Sequence, residues 1–168
     1  MKKTFIFLVM TLFAVSTLTA QNTAKIQSIF IYNFIKLIEW PASYRTGDFN
    51  IAVLGNDAIY DELSALAQAK KAGNQTIVVK KINTLGELSN PHILYLPKSQ
   101  SGQIENAKAA IGKKSVLLIS DDGDGTSKGA DINFIIVDNK PKFEINPTGA
   151  QAKSLQVSSN LINLGIKK

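Results

Sequence analysis

Between residues 24 and 40 the polar side chains Lys25, Ser28, Tyr32, Asn33, Lys36 and Glu39 fall within an arc of about 140° on a helical wheel. Nearly every other position there is apolar, so the stretch predicts a helix that needs cover on more than one side. Pro41 ends it, because a proline ring disfavours the helical conformation at the preceding residue, Trp40. Beyond it, short β-branched runs alternate with helical patterns. Phe49–Leu54, Thr76–Val79, Pro91–Pro97, Ser115–Ile119 and Ile132–Val137 read as strands. Helices are predicted over about 57–70 and 101–111, with a helical turn near Leu85–Leu88. Asn139-Lys140-Pro141 turns the chain into Lys142–Ile145 as an antiparallel hairpin, and a last helix runs over roughly 148–164. Continuous apolar strands separated by helices are covered on both faces. The expectation is one α/β domain of three layers: a mostly parallel sheet, helices on both faces, and a C-terminal β-hairpin plus helix.

The first twenty residues follow another pattern. Lys2 and Lys3 precede an apolar stretch from Phe5 to Val15, and Ser16–Ala20 are small or weakly polar apart from Leu18. A basic start, a short apolar run and a small residue at the break are the three parts of a secretory signal. The run is shorter than the roughly 20 residues that a bilayer span needs. Residues 1–20 are therefore expected to be removed, leaving 21–168 as an exported, periplasmic domain.

Composition narrows the chemistry. Of 168 residues, 45% are apolar and 19% charged, enough to bury a core without disulfides. There is no Cys, which excludes disulfide scaffolds, thiol catalysis and cysteine-based metal sites. With a single His, a multi-histidine metal site is excluded as well. The formal charge is +6, falling to +4 without Lys2 and Lys3, and the lysines are scattered instead of interleaved with aromatics. No nucleic-acid partner is expected.

Three places could still carry chemistry. Gly55-Asn56-Asp57 sits where a strand–turn–helix unit holds an anion, but only one glycine of a G-x-G-x-x-G fingerprint is present. Asp121-Asp122-Gly123-Asp124-Gly125 could curl around a hard cation, yet counting from Asp122 the twelfth residue is Asn133, not the Glu of an EF-hand. His92 has no nucleophile motif beside it and reads as a hydrogen-bonding strand residue. No catalytic residue, metal or cofactor is expected. Two readings of function remain open. A binding module would use a pocket at the carboxyl ends of the strands, formed by Gly55, Asn56, Asp57, Pro97, Ser99, Asp121 and Asp122. An interaction protein would use the over-apolar helix, with Ile31, Phe34, Ile35 and Ile38 as partner or dimer surface.

Several segments, in order, resemble the YfiR-like family of exported bacterial proteins. They are Ile31–Pro41, Val53–Asp57, His92–Leu96, Val116–Asp121, Gly129–Phe134 and Phe143–Asn146 with the closing helix through Leu161, together spanning about residues 24–166. The resemblance implies a compact α/β domain that forms homodimers and has no enzymatic activity. It further implies a regulator that represses an inner-membrane diguanylate cyclase through the cyclase's periplasmic part, and that is sequestered by an outer-membrane lipoprotein. Cyclic di-GMP, the cyclase product, drives biofilm formation. Family members commonly carry a cysteine just before the His of the third strand. Here that position is Pro91, so a thiol switch of that kind cannot operate.

Overall fold

The computed structural model describes residues 22–168; the expected signal segment lies outside the described residues. Helix α1 (22–37) leads into the two-residue strand β1 (Ile38–Glu39). Strand β2 (Phe49–Leu54), helix α2 (Ala58–Ala69), strand β3 (Lys71–Ala72) and strand β4 (Gln75–Ile82) follow. Then come β5 (Ile93–Leu96), α3 (Ile104–Ile111), β6 (Leu117–Ser120), the short α4 (Gly125–Lys128), β7 (Ile132–Val137) and β8 (Lys140–Ile145). The chain closes with α5 (Pro147–Gln151), β9 (Gln156–Val157), α6 (Ser159–Leu164) and β10 (Ile166–Lys167).

Eight strands form one sheet in the order β10-β8-β7-β6-β5-β2-β4-β3. Its centre, β4-β2-β5-β6-β7, is parallel throughout. In order of appearance those five strands are arranged 2-1-3-4-5, a doubly wound pattern whose strand order reverses between β2 and β5. β8 joins antiparallel to β7, as the hairpin reading expects. Alternation along each central strand sorts the core into two layers. Phe49, Ile51, Val53, Ile93, Tyr95, Leu117 and Ile119 pack under α1 and α2. Ala52, Leu54, Leu94, Leu96 and Leu118 pack against α3 on the other face. The expected three-layer α/β domain is the observed one.

Element ends depart from the sequence pattern in three places. α1 stops at Leu37, not Trp40, because Ile38 and Glu39 pair antiparallel with Val157 and Gln156. The last helix is two short ones: Ser154 adopts a left-handed φ of 62° and Leu155 is buried, which breaks the helix before Ser158 caps α6. The hairpin turn lies one residue earlier than expected, at Asp138 and Asn139 with φ of 52° and 58°, so Lys140 and Pro141 belong to β8.

Candidate functional site

At the reversal of strand order, β2 and β5 present their carboxyl ends side by side, with Gly55, Asn56, Asp57 and Asp121 of the expected pocket just beyond the strand ends. Asp57 caps α2 by accepting a hydrogen bond from the Ile59 amide at 3.0 Å. Asn56 Oδ1 accepts from Lys81 Nζ at 2.7 Å. Gly55 has a left-handed φ of 80°, and a Cβ there would stand 3.1 Å from Gln100 Nε2. The Gln100 side chain therefore lies against Gly55. A shallow groove of about 260 Å³, lined by Leu54, Asn83, Thr84, Leu85, Gln100 and Gln103, opens beside it.

The deepest polar group here escaped the sequence reading. Tyr95, fully buried on β5, donates its hydroxyl to Gln27 Oε1 at 3.1 Å, and Gln27 Nε2 donates to Asp121 Oδ2 at 3.2 Å. Burial pushes the Tyr95 phenol well above its usual range, and the charges of Asp121 and Asp57 push it further. Burial likewise raises Asp121; the Gln27 bond opposes that shift and the Asp57 charge adds to it. A phenol held neutral and donating is a clasp for the first turns of α1, with no nucleophile in it. Tyr95 was hidden because it sits in an aliphatic run, where the pattern reads it as core.

The seven expected pocket residues do not all converge. Asp57 and Asp121 share one field, but Asp122 turns away to Lys128 Nζ at 2.6 Å. Ser99 is exposed on the 3₁₀ turn Lys98–Gln103. The acidic loop is a closed structure. Asn133, wholly buried on β7, accepts from Ser120 Oγ at 2.7 Å and from the Asp122 amide at 3.1 Å, and donates to the Asp122 carbonyl at 2.7 Å. Gly125 fits against it because a Cβ there would lie 2.1 Å from Ser120 Oγ and 2.4 Å from Asn133 Oδ1. Glu144 accepts from Thr126 Oγ1 at 2.7 Å and from Lys168 Nζ at 2.9 Å. Burial alone would raise Glu144, but these bonds outweigh it and hold its carboxyl below the usual value. A polar Asn inside the apolar run Ile132–Val137 was the signal for this network, since a buried amide must find partners. Among the described residues, no group of three or more His, Cys, Asp or Glu could hold a metal ion.

His92 lies at the opposite, amino end of the strands. Its Nδ1 accepts from the Asn50 amide at 3.1 Å and its Nε2 lies 2.7 Å from the Tyr44 carbonyl. A carbonyl only accepts, so these partners assign the neutral Nε2–H tautomer. Burial lowers the imidazole pKa against the raising effect of the Tyr44 bond. Phe49 stacks on the ring at 4.2 Å, and Trp40 lies edge-on to Phe49 with its Nε1 buried and unpaired. Both rings are core, as their sequence setting suggests.

The expected partner surface on α1 is corrected by burial. Ile31, Phe34, Ile35 and Ile38 are 0 to 8% exposed. Phe34 packs edge-on against Phe143 at 4.9 Å and stacks with Phe134 at 6.0 Å. These four residues face the sheet because the helix needs that cover from within the chain. The outward face instead carries Lys25, Ile29, Tyr32 and Lys36, with Ile29 53% exposed. Ser28, expected on the polar arc, is buried and donates to the Lys25 carbonyl at 2.8 Å.

A groove of about 520 Å³ runs between α5, β9 and α6 past Pro147, Leu155, Val157 and Ile162, with no charged side chain in its lining. Among the described residues no helix is long and apolar enough to cross a membrane.

A family model described as YfiR/HmsC-like matches residues 24–166. No curated protein matches the chain. Among solved structures, a crystal structure of a conserved domain protein from Vibrio cholerae superposes with a TM-score of 0.57 at 11% identity. The match covers 86% of this chain and 59% of that one, and at this identity it supports the fold alone.

Proposed function

Since this chain belongs to the YfiR/HmsC-like family, we propose that residues 21–168 act as an exported, non-catalytic regulator of an inner-membrane signalling enzyme. The regulator binds the periplasmic part of that enzyme, a diguanylate cyclase or a sensor kinase, and sets its activity by staying bound or letting go. The family match over nearly the whole domain carries this reading. The internal pairing of its polar groups agrees with it: Tyr95, His92, Asn133 and Glu144 each spend their hydrogen bonds on the fold. Self-association as a homodimer and sequestration by an outer-membrane lipoprotein belong to the same reading.

The energetic requirement is modest. A regulator shifts a two-state enzyme only by its differential affinity for the two states, and moving a population from 1:99 to 99:1 takes about 5.5 kcal/mol. The release step cannot be thiol chemistry in this chain, which has no Cys.

The test is an affinity pull-down with tagged residues 21–168 from detergent-solubilised envelope, read by mass spectrometry. The expected result is recovery of one membrane cyclase or kinase, whose product level changes when the gene for this chain is deleted. Recovery of the bait alone at good occupancy would refute the regulator reading. A small-ligand module using the strand-end groove would then take its place.

A further inference from the structure

The outward stripe of α1 combines features that the fold does not use. Lys25, Ile29, Tyr32 and Lys36 follow one another at four-, three- and four-residue steps, so they line a single face about 16 Å long. Lys36 Nζ lies 5.8 Å from the centre of the Tyr32 ring, and Lys70 Nζ, from the end of α2, lies 6.0 Å from it. Two ammonium groups thus stand within 6.0 Å of the centre of one aromatic ring, each attracted to it. Among the described residues the ion pairs engage Arg45, Lys128, Lys153 and Lys168, and no carboxylate reaches Lys25, Lys36 or Lys70. A half-exposed isoleucine sits in the middle of this cationic stripe.

We infer that this face docks an acidic, amphipathic segment of the regulated enzyme. Carboxylates of that segment meet Lys36 and Lys70 beside Tyr32, and Lys25 at the other end of the stripe, while an apolar side chain covers Ile29. The inference rests on the regulator reading and names its surface. Charge complementarity selects the occupant, because Lys25, Lys36 and Lys70 bring three ammonium groups to this face and no carboxylate of the described residues pairs with them. A lipid surface is the poorer fit. Helices that lie in a membrane interface bury a broad apolar face, and α1 has turned that face, with Ile31 and Phe34, into the core.

The test uses the periplasmic part of the enzyme recovered in the pull-down and measures its binding to residues 21–168. The variant Lys25→Glu/Lys36→Glu/Lys70→Glu is expected to bind about tenfold more weakly or worse, since it sets like charges against the acidic segment. Wild-type binding should weaken as salt rises, and Lys36→Arg/Lys70→Arg should retain it. If the triple variant melts below wild type, Lys36→Gln/Lys70→Gln replaces it, with a smaller loss expected. Unchanged affinity in the charge-altered variants would overturn this docking face and leave the regulator reading standing. Failure of the wild type to bind any enzyme overturns both. Binding of the wild type, but not the variant, to vesicles of phosphatidylglycerol and phosphatidylethanolamine, with enzyme binding intact in the variant, would assign the face to lipid and overturn the inference.

Discussion

His92 shows what a single residue does when both ring nitrogens are committed. The Asn50 amide needs an acceptor at Nδ1, so protonation there breaks a bond and sets a donor against a donor. The folded pKa lies below 6.5, so the unfolded chain binds the proton more readily. Stability from this site is therefore complete above pH 6.5 and is lost as the pH falls from there through the folded pKa. The imidazole is expected to titrate below 6.5 by NMR. The melting temperature of wild type should drop more steeply under acidification than that of His92→Gln. An imidazole midpoint at or above 6.5 would contradict the assignment. The sequence marked His92 as a hydrogen-bonding strand residue, but its partners, Asn50 and Tyr44, are 42 and 48 residues away. Only the parallel alignment of β2 with β5 brings them together.

At the scale of elements, caps and turns depend on neighbours in the chain, yet the sequence pattern put the β7–β8 turn one residue late and the start of α5 without its cap. Asp57 caps α2, and Pro147 opens α5 behind the Asn146 cap. The β7–β8 turn belongs to the same class. Asp138 and Asn139 both adopt left-handed φ, the geometry of a type I′ hairpin turn, which favours Asn-Gly. Asn139→Gly is expected to stabilise the fold by about 0.5 kcal/mol and Asn139→Val to destabilise it by about 1–2 kcal/mol. Urea denaturation of the two variants checks the pair, and opposite signs would refute the turn assignment. What the pattern misjudged was where α1 stops and that the last helix breaks in two at Ser154. Ile38 and Glu39 leave the helix to pair with residues more than a hundred positions later, and a helical wheel has no access to such a partner.

On the scale of the whole molecule, the C-terminal segment works as a strap. β9 pairs with β1, β10 pairs with β8, and Lys153, just ahead of β9, reaches into the sheet. Its ammonium donates to Asp131 Oδ2 and, at 2.8 Å, to the Val116 carbonyl, while the same Asp131 oxygen accepts from the Leu118 amide at 2.7 Å. Burial pushes the Asp131 carboxyl up, and Lys153 opposes that shift. Lys153→Met strands a carboxylate that is 2% exposed, and is expected to cost about 3–5 kcal/mol at neutral pH. Asp131→Asn/Lys153→Met should recover most of that loss in guanidinium unfolding. A single-variant loss under about 1 kcal/mol would mean that the strap is held by its strand pairs alone. The sequence by itself determined the layer architecture, the central strands, the hairpin and the family, because alternation, capping and segment order are properties of the chain read in one direction. Tertiary structure alone decided that Ile31, Phe34, Ile35 and Ile38 are covered from within the chain, that Gln27, Tyr95 and Asp121 form one clasp, and that Lys36 and Lys70 both approach the Tyr32 ring. Those arrangements join residues tens of positions apart, and distance in space is set by the register of strands and the seating of helices, which no local pattern encodes.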